Sequence, residues 1–201
     1  MGLRESKKRQ LRARILGAAI PMIRERGYER TRVQDVAAAA EVSEATFFNY
    51  FSTKDALLAA WLGDLLHGAI AGAAERSAGR SLRHWVRELS TELAPRVAED
   101  RALVKTGFAR GGLDHAPVEA AVHRFRDGQT RGEIRADLQA EELAELLTGI
   151  ALCELAAWVA RPDDDPEPLG PRLLRGLNLL LDGCRKRNER VRAPAATVRP
   201  V

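Results

Sequence analysis

The chain has 201 residues, 45% of them hydrophobic, 30% charged and only 5% aromatic. That is an ordinary globular balance, so a collagen-like, disordered or disulfide-stapled chain is excluded, and the core must come from Leu, Ala, Val and Ile. The net charge of +4 and pI of about 9.4 suit an anionic partner such as nucleic acid.

Ala, Leu, Glu and Arg dominate, and all four favour helix. The N-terminus lacks a signal-peptide pattern, and no uninterrupted apolar stretch is long enough to cross a bilayer. A cytoplasmic protein is expected. Cys153 and Cys184 lie far apart in apolar helical patterns with no CxxC spacing, so both read as buried free thiols and no zinc site is expected.

Residues 2–10 carry Arg4, Lys7, Lys8 and Arg9 against Glu5. Two readings stay open: a frayed arm, or an arm that neutralises backbone phosphates. A helix is predicted from about Lys7 to Arg26, with Leu11, Ile15, Ala18, Ala19, Met22 and Ile23 facing a core. Pro21 interrupts its hydrogen bonding, and Gly27 ends it.

Val33, Val36, Ala37 and Ala40 recur at helical spacing and give a short helix one apolar face. A break at residues 39–42 follows, and Ser43 is a good N-cap for the next helix. Phe47 and Phe51 stand four apart and pack inward. Glu44, Ala45, Thr46, Phe48, Asn49 and Tyr50 take the remaining faces, the small and polar ones in the first turn. Such groups suit base edges in the major groove, with phosphate contacts behind them. The unit reads as a helix-turn-helix with Glu44–Tyr50 as recognition helix. Arg32 and Lys54 flank it as phosphate contacts.

A fourth helix begins near Lys54, capped by Ser52 or Thr53, with Asp55 placed for a capping box on Ser52. Its residues Leu57, Leu58, Trp61, Leu62, Leu65, Leu66, Ala69 and Ile70 are too apolar for a surface helix, so it joins head to body. Further helices carry Leu82–Leu93, Leu103–Phe108 and Val118–Phe125, with a loop at Gly111-Gly112 and His115-Ala116-Pro117. The penultimate helix is predicted from about Glu141 to Val159. Residues 162–171 read as a loop, a last helix carries Leu173, Leu177 and Leu181, and residues 189–201 read as a disordered tail.

The fold class is all-α, with about nine helices. The domains are a head at residues 1–53, a body at 54–188 and the tail at 189–201. His67, His84, His115 and His123 form no metal-spaced pair, and GxSxG, P-loop and GxGxxG patterns are absent. An enzyme is not expected, nor is a cofactor.

Residues Ile15–Leu58 resemble the N-terminal domain of the TetR family of bacterial transcriptional repressors. The matching pieces include Arg26-Gly27-Tyr28, Thr31 with Val33, Asp35-Val36-Ala37, Val42-Ser43, Thr46-Phe47-Phe48, Tyr50-Phe51 and Lys54-Asp55-Ala56-Leu57. The chain departs from the family pattern at four places. Glu41 replaces the turn glycine, which puts a non-glycine residue in a left-handed conformation. Arg32 replaces a Ser or Thr and leaves Thr31 as cap, Phe48 replaces a Tyr, and Tyr50 stands where His is common.

The resemblance implies a ligand-responsive homodimeric repressor on a palindromic operator, released by a small hydrophobic effector. The alternative is an effector-independent regulator whose body only dimerises or binds another protein. By the same resemblance, Leu65, Trp85, Leu89, Phe108, Val122, Phe125 and Leu147 line an effector pocket, with His123 and Cys153 as polar contacts. The resemblance also implies that helices 141–159 and 169–186 pair with their symmetry mates in a four-helix bundle, with Leu146, Ile150, Leu155, Leu177 and Leu181 expected at the interface.

Overall fold

The computed structural model describes residues 2–110, 119–162 and 167–185. The loop expected at Gly111–Pro117 and the tail at 189–201 lie outside the described residues. Among those described, nine helices carry the fold and there is no strand. One isolated bridge pairs Ile134 with Arg185.

The head is α1 (Leu3–Arg26), α2 (Val33–Ala39) and α3 (Glu44–Tyr50). Its first helix starts at Leu3 rather than near Lys7, so the basic segment is helical. Ile15, Ala19 and Ile23 follow one another on one side of α1 and close on Val36, Ala37, Phe47 and Phe51. At Gly27 the chain leaves the helix with φ +85°, a conformation that a Cβ disfavours. Thr31 does not cap α2 as expected. It is 1% exposed, its hydroxyl donates to the Gly27 carbonyl at 2.9 Å, and Arg32 occupies the cap position without a side-chain bond.

Helix α4 (Lys54–Arg76) is capped by Thr53, whose hydroxyl accepts from the Ala56 N–H at 2.9 Å. The capping box on Ser52 does not form, because Asp55 accepts instead from the Tyr28 hydroxyl. Leu57 and Leu58 of α4 complete the core of the head, and Leu62, Leu66, Ala69, Ile70 and Ala73 belong to that of the body. The apolar core of the head therefore extends past residue 53, and it also takes in Leu103.

The body adds α5 (Leu82–Glu99), α6 (Arg101–Ala109), α7 (Glu119–Thr130), α8 (Ala140–Ala160) and α9 (Leu169–Gly183). Helix α5 packs on α4 and α9, and α8 packs on α7 and α9. Trp85, Leu89, Phe125, Leu143 and Leu147 are fully buried between them. Each such side chain contributes roughly 1.5–3 kcal/mol by leaving water. Gly128 fits here because a Cβ would fall 2.4 Å from a Leu82 methyl.

Among the described residues, two helices, α4 and α8, are long and apolar enough to cross a membrane, with mean hydropathies of 1.4 and 1.7. Each buries the large side chains of one face in the protein's own core. Cys184 is buried, and burial pushes its thiol pKa up. Cys153, expected to be buried, is exposed. It falls on the outward side of α8, away from the stripe of Leu147, Ala151 and Leu155.

Candidate nucleic-acid interface

The turn between α2 and α3 is closed by two backbone bonds, Glu41 N–H to Ala38 O at 3.0 Å and Val42 N–H to Ala37 O at 2.9 Å. Glu41 adopts φ +52° to make it, the left-handed conformation expected where the family has glycine. Ser43 then caps α3, its Oγ accepting from Thr46 N–H at 3.1 Å. The Thr46 hydroxyl lies 2.9 Å from the same Oγ, so it is held within the cap.

Phe47 is 0% and Phe51 3% exposed, which pins α3 to the head by its inner face. Glu44, Ala45, Phe48 and Asn49 are exposed on the other side, and Thr46 and Tyr50 are half-buried. Phe48 stands edge-on to Phe47 and remains 48% exposed, a large apolar group suited to a thymine methyl. Arg32 is exposed at the start of α2.

Lys54 has a role that its sequence position conceals. Its ammonium donates to the Tyr28 carbonyl at 2.7 Å and the Thr31 carbonyl at 3.0 Å, and lies 4.0 Å from the centre of the Tyr28 ring. An ammonium has three donors, so these two bonds leave one uncommitted to a carbonyl. Arg110 covers the Tyr28 ring at 4.9 Å from its centre and pairs with Glu29. Burial, and then the bond to Asp55, raise the Tyr28 pKa well above that of an ordinary tyrosine.

The head is tied to the body a second time by Arg24. Its Nε and one terminal nitrogen donate to Asp100 at 2.7 and 2.6 Å, and this bond raises the Arg24 pKa. Asp100 is the N-cap residue of α6 and Arg110 its C-cap. Between them, Leu103 inserts into the core of the head. A cavity of about 380 Å³ lies at this junction, lined in part by Ile23, Tyr28, Asp100 and Thr106.

In the body, the structure divides the expected effector residues. Trp85, Leu89, Phe125 and Leu147 are 0% exposed, and Trp85 meets Phe125 edge to face at 5.8 Å. Leu65, Phe108 and Val122 are half-buried against the same core. His123 and Cys153 are not with them. His123 is an exposed residue beside Asp127 at 3.6 Å, and Cys153 lines a shallow outer groove with Leu146, Gly149 and Ile150. Sequence reasoning missed Arg124, which is 3% exposed and donates to the Arg80 carbonyl at 2.9 Å. Burial, and then Arg131, lower its pKa. Its Nε and the neighbouring Trp85 Nε1 are buried and lack an acceptor among the described residues.

The expected dimer residues also divide. Leu155 and Leu177 are 0% and Leu181 is 3% exposed, so all three serve the protomer's own core. Leu146 is 55% exposed, and Ile150 is half-buried at the edge of the outer groove. Leu179 is 68% exposed and lies about 200° around α9 from Leu177 by helical spacing.

Residues 15–61 match the description of the bacterial regulatory proteins of the tetR family. The fold matches that of the TetR-family repressor FadR of Thermus thermophilus, crystallised in complex with lauroyl-CoA. The TM-score is 0.72 and the identity 28%, over 92% of this chain and 98% of that one. Residues 15–61 thus carry the N-terminal domain of the tetR family, and the chain shares the fold of a TetR-family repressor. Among curated relatives, the HTH-type transcriptional regulator YuxN of Bacillus subtilis is 22% identical over 88% of this chain. The regulator UidR of Escherichia coli is 26% identical over 72% of this chain and 80% of its own length. The chain spans 65% of the length of YuxN and 24% of that of TcmR of Streptomyces glaucescens. FadR of Bacillus subtilis shares the fold at a TM-score of 0.60 and 19% identity.

Proposed function

We propose that this chain is a TetR-family DNA-binding transcriptional regulator that works in the cytoplasm, where it binds a palindromic operator as a homodimer. It is read as a repressor that a small hydrophobic effector releases. The observation that carries the DNA-binding part is the outward face of α3. Glu44, Ala45, Phe48 and Asn49 are presented there by a helix whose inner side is locked by Phe47 and Phe51. Arg32 and the remaining donor of Lys54 supply the phosphate contacts beside it. One head spans only a few base pairs, so two are needed, set about 34–36 Å apart for successive major grooves.

The second protomer docks on the outer faces of α8 and α9, where Leu146, Ile150 and Leu179 leave apolar surface. The effector class is read from the Thermus thermophilus relative, described with lauroyl-CoA. Trp85, Leu89, Phe125 and Leu147 supply an apolar lining for an acyl chain. The orphan Trp85 and Arg124 donors supply polar groups that an acyl carbonyl oxygen satisfies. The four apolar residues are now closed on one another, so a ligand binds only as the body opens, and that opening is the differential binding that release requires. The closed core also favours a second reading, a regulator that needs no effector.

The test has two steps. Purified protein is first given random duplexes, and a preferred palindrome is expected at physiological salt. A protein that prefers no duplex ends the regulator reading. Lauroyl-CoA and coenzyme A are then compared by thermal shift and by operator release. Release by lauroyl-CoA alone supports the effector, and neither shift nor release by either compound favours the second reading.

A further inference from the structure

We infer that the first two turns of α1 are a second DNA-binding element, a cationic stripe that lies on phosphates flanking the bases read by α3. The inference rests on the DNA-binding reading above and adds a surface to it. Residues 4, 8, 11, 15, 19 and 23 follow one another at three- and four-residue spacing on one side of α1. Over the head this side is apolar: Ile15, Ala19 and Ile23 are buried and Leu11 packs at the edge. Beyond the head the same side carries Arg4 and Lys8, with Lys7 adjacent and Glu5 at its edge, and all four are exposed, a net charge of +2. The helix overshoots its own core, and the side that was apolar turns basic where no protein covers it.

Arg12 marks the changeover. It pairs with Asp64 of α4 at 2.6 Å, and its guanidinium lies 5.8 Å from the centre of the Phe51 ring, at the end of α3. The stripe therefore begins beside the recognition helix. Eight residues of helix, from Arg12 back to Arg4, cover about 12 Å, close to the width of the major groove. Cations in a first turn oppose the helix dipole, so the stripe weakens the free helix and is stabilised by an anionic partner. A duplex backbone offers that anion at regular spacing.

The test uses the full chain and a duplex selected with the unmodified protein. Affinity is measured across salt concentration for the unmodified protein, for Arg4→Ala/Lys8→Ala, and for Lys105→Ala, which removes an exposed cation of α6. Alanine favours helix, and circular dichroism checks that α1 persists. In the double variant, the slope of log K against log salt is expected to fall by about 0.9 per lost contact, or about 3.6 for two heads. Its preference for the selected duplex over random DNA is expected to persist, because phosphates carry no sequence. Lys105→Ala is expected to keep the full slope. An unchanged slope in the double variant, or an equal fall in Lys105→Ala, overturns the stripe and leaves the regulator reading standing. An unmodified protein that prefers no duplex fails at the earlier step and takes both down.

Discussion

Tyr28 joins three helices at one point: it follows Gly27 at the end of α1, its carbonyl and ring face Lys54 of α4, and Arg110 at the end of α6 covers its ring. Its raised pKa has a definite consequence. The folded protein holds the phenolic proton more tightly than the unfolded chain does. The stability this contributes is full below the unfolded pKa of about 10 and is lost as pH rises through it towards the higher folded value. Thermal melts are expected to fall above about pH 10, and Tyr28→Phe is expected to flatten that part of the decline. Lys54 is the second residue to test. Lys54→Ala removes two charge-assisted bonds to carbonyls, so it is expected to destabilise the head by about 1–3 kcal/mol as well as weaken DNA binding. A melt identical to that of the unmodified protein, with only a weaker salt slope, would return Lys54 to a purely phosphate-binding role.

At the scale of elements, α8 and α9 each present apolar residues on two sides. The inner sides, with Leu147, Leu155, Leu177 and Leu181, are buried in the protomer. Leu146 and Leu179 stand outside. Leu146→Glu and Leu179→Glu are therefore expected to give a folded monomer by light scattering. Leu177→Glu is expected to cost several kcal/mol in the protomer core, and to lower the melting temperature or prevent folding. Monomerisation by Leu177→Glu with an unchanged melt would place the interface on the inner side after all. Helix α6 is tied to the head at both ends, by Asp100 to Arg24 and by Arg110 to Glu29 and Tyr28. Its middle packs on α4 and α8. It is the shortest body helix among those described, at 9 residues, and it packs on α4, α5 and α8.

At the scale of the whole molecule, two elements among the described residues cross between the cores. Helix α4 contributes to both, and α6 sends Leu103 into the head and Val104 into the body. In the proposed switch, a change in the body would reach the head through these two elements. Coupling of about 1–3 kcal/mol is usual, and about 1.4 kcal/mol is enough for a tenfold loss of operator affinity. Asp100→Asn weakens one of the ties without touching the body core. Lauroyl-CoA is expected to stabilise both this variant and the unmodified protein in thermal shift, but to release the variant less from the operator. Equal release by the two proteins would leave α4 as the sole route.

The sequence by itself determined the elements. The spacing of Ile15, Ala19 and Ile23, the cap at Ser43 and the inward pair Phe47 and Phe51 are local facts, set by side chains on one helix or at its end. The left-handed turn at Glu41 was legible because the resemblance calls for glycine at that place. The all-α class follows from the same local preferences, summed along the chain. Only the tertiary structure decided what covers each face. Periodicity marks a face as apolar but does not say whether the neighbour is the same chain or a second copy, and α8 and α9 are apolar on more than one side. Leu155, Leu177 and Leu181 thus lie inward, while Leu146, Leu179 and Cys153 lie outward. The partners of Lys54, Arg24 and Arg124 were equally hidden, because each is a backbone carbonyl or a carboxylate from a distant segment. A long cation reaches whichever acceptor the packing brings near, and that choice is made in three dimensions.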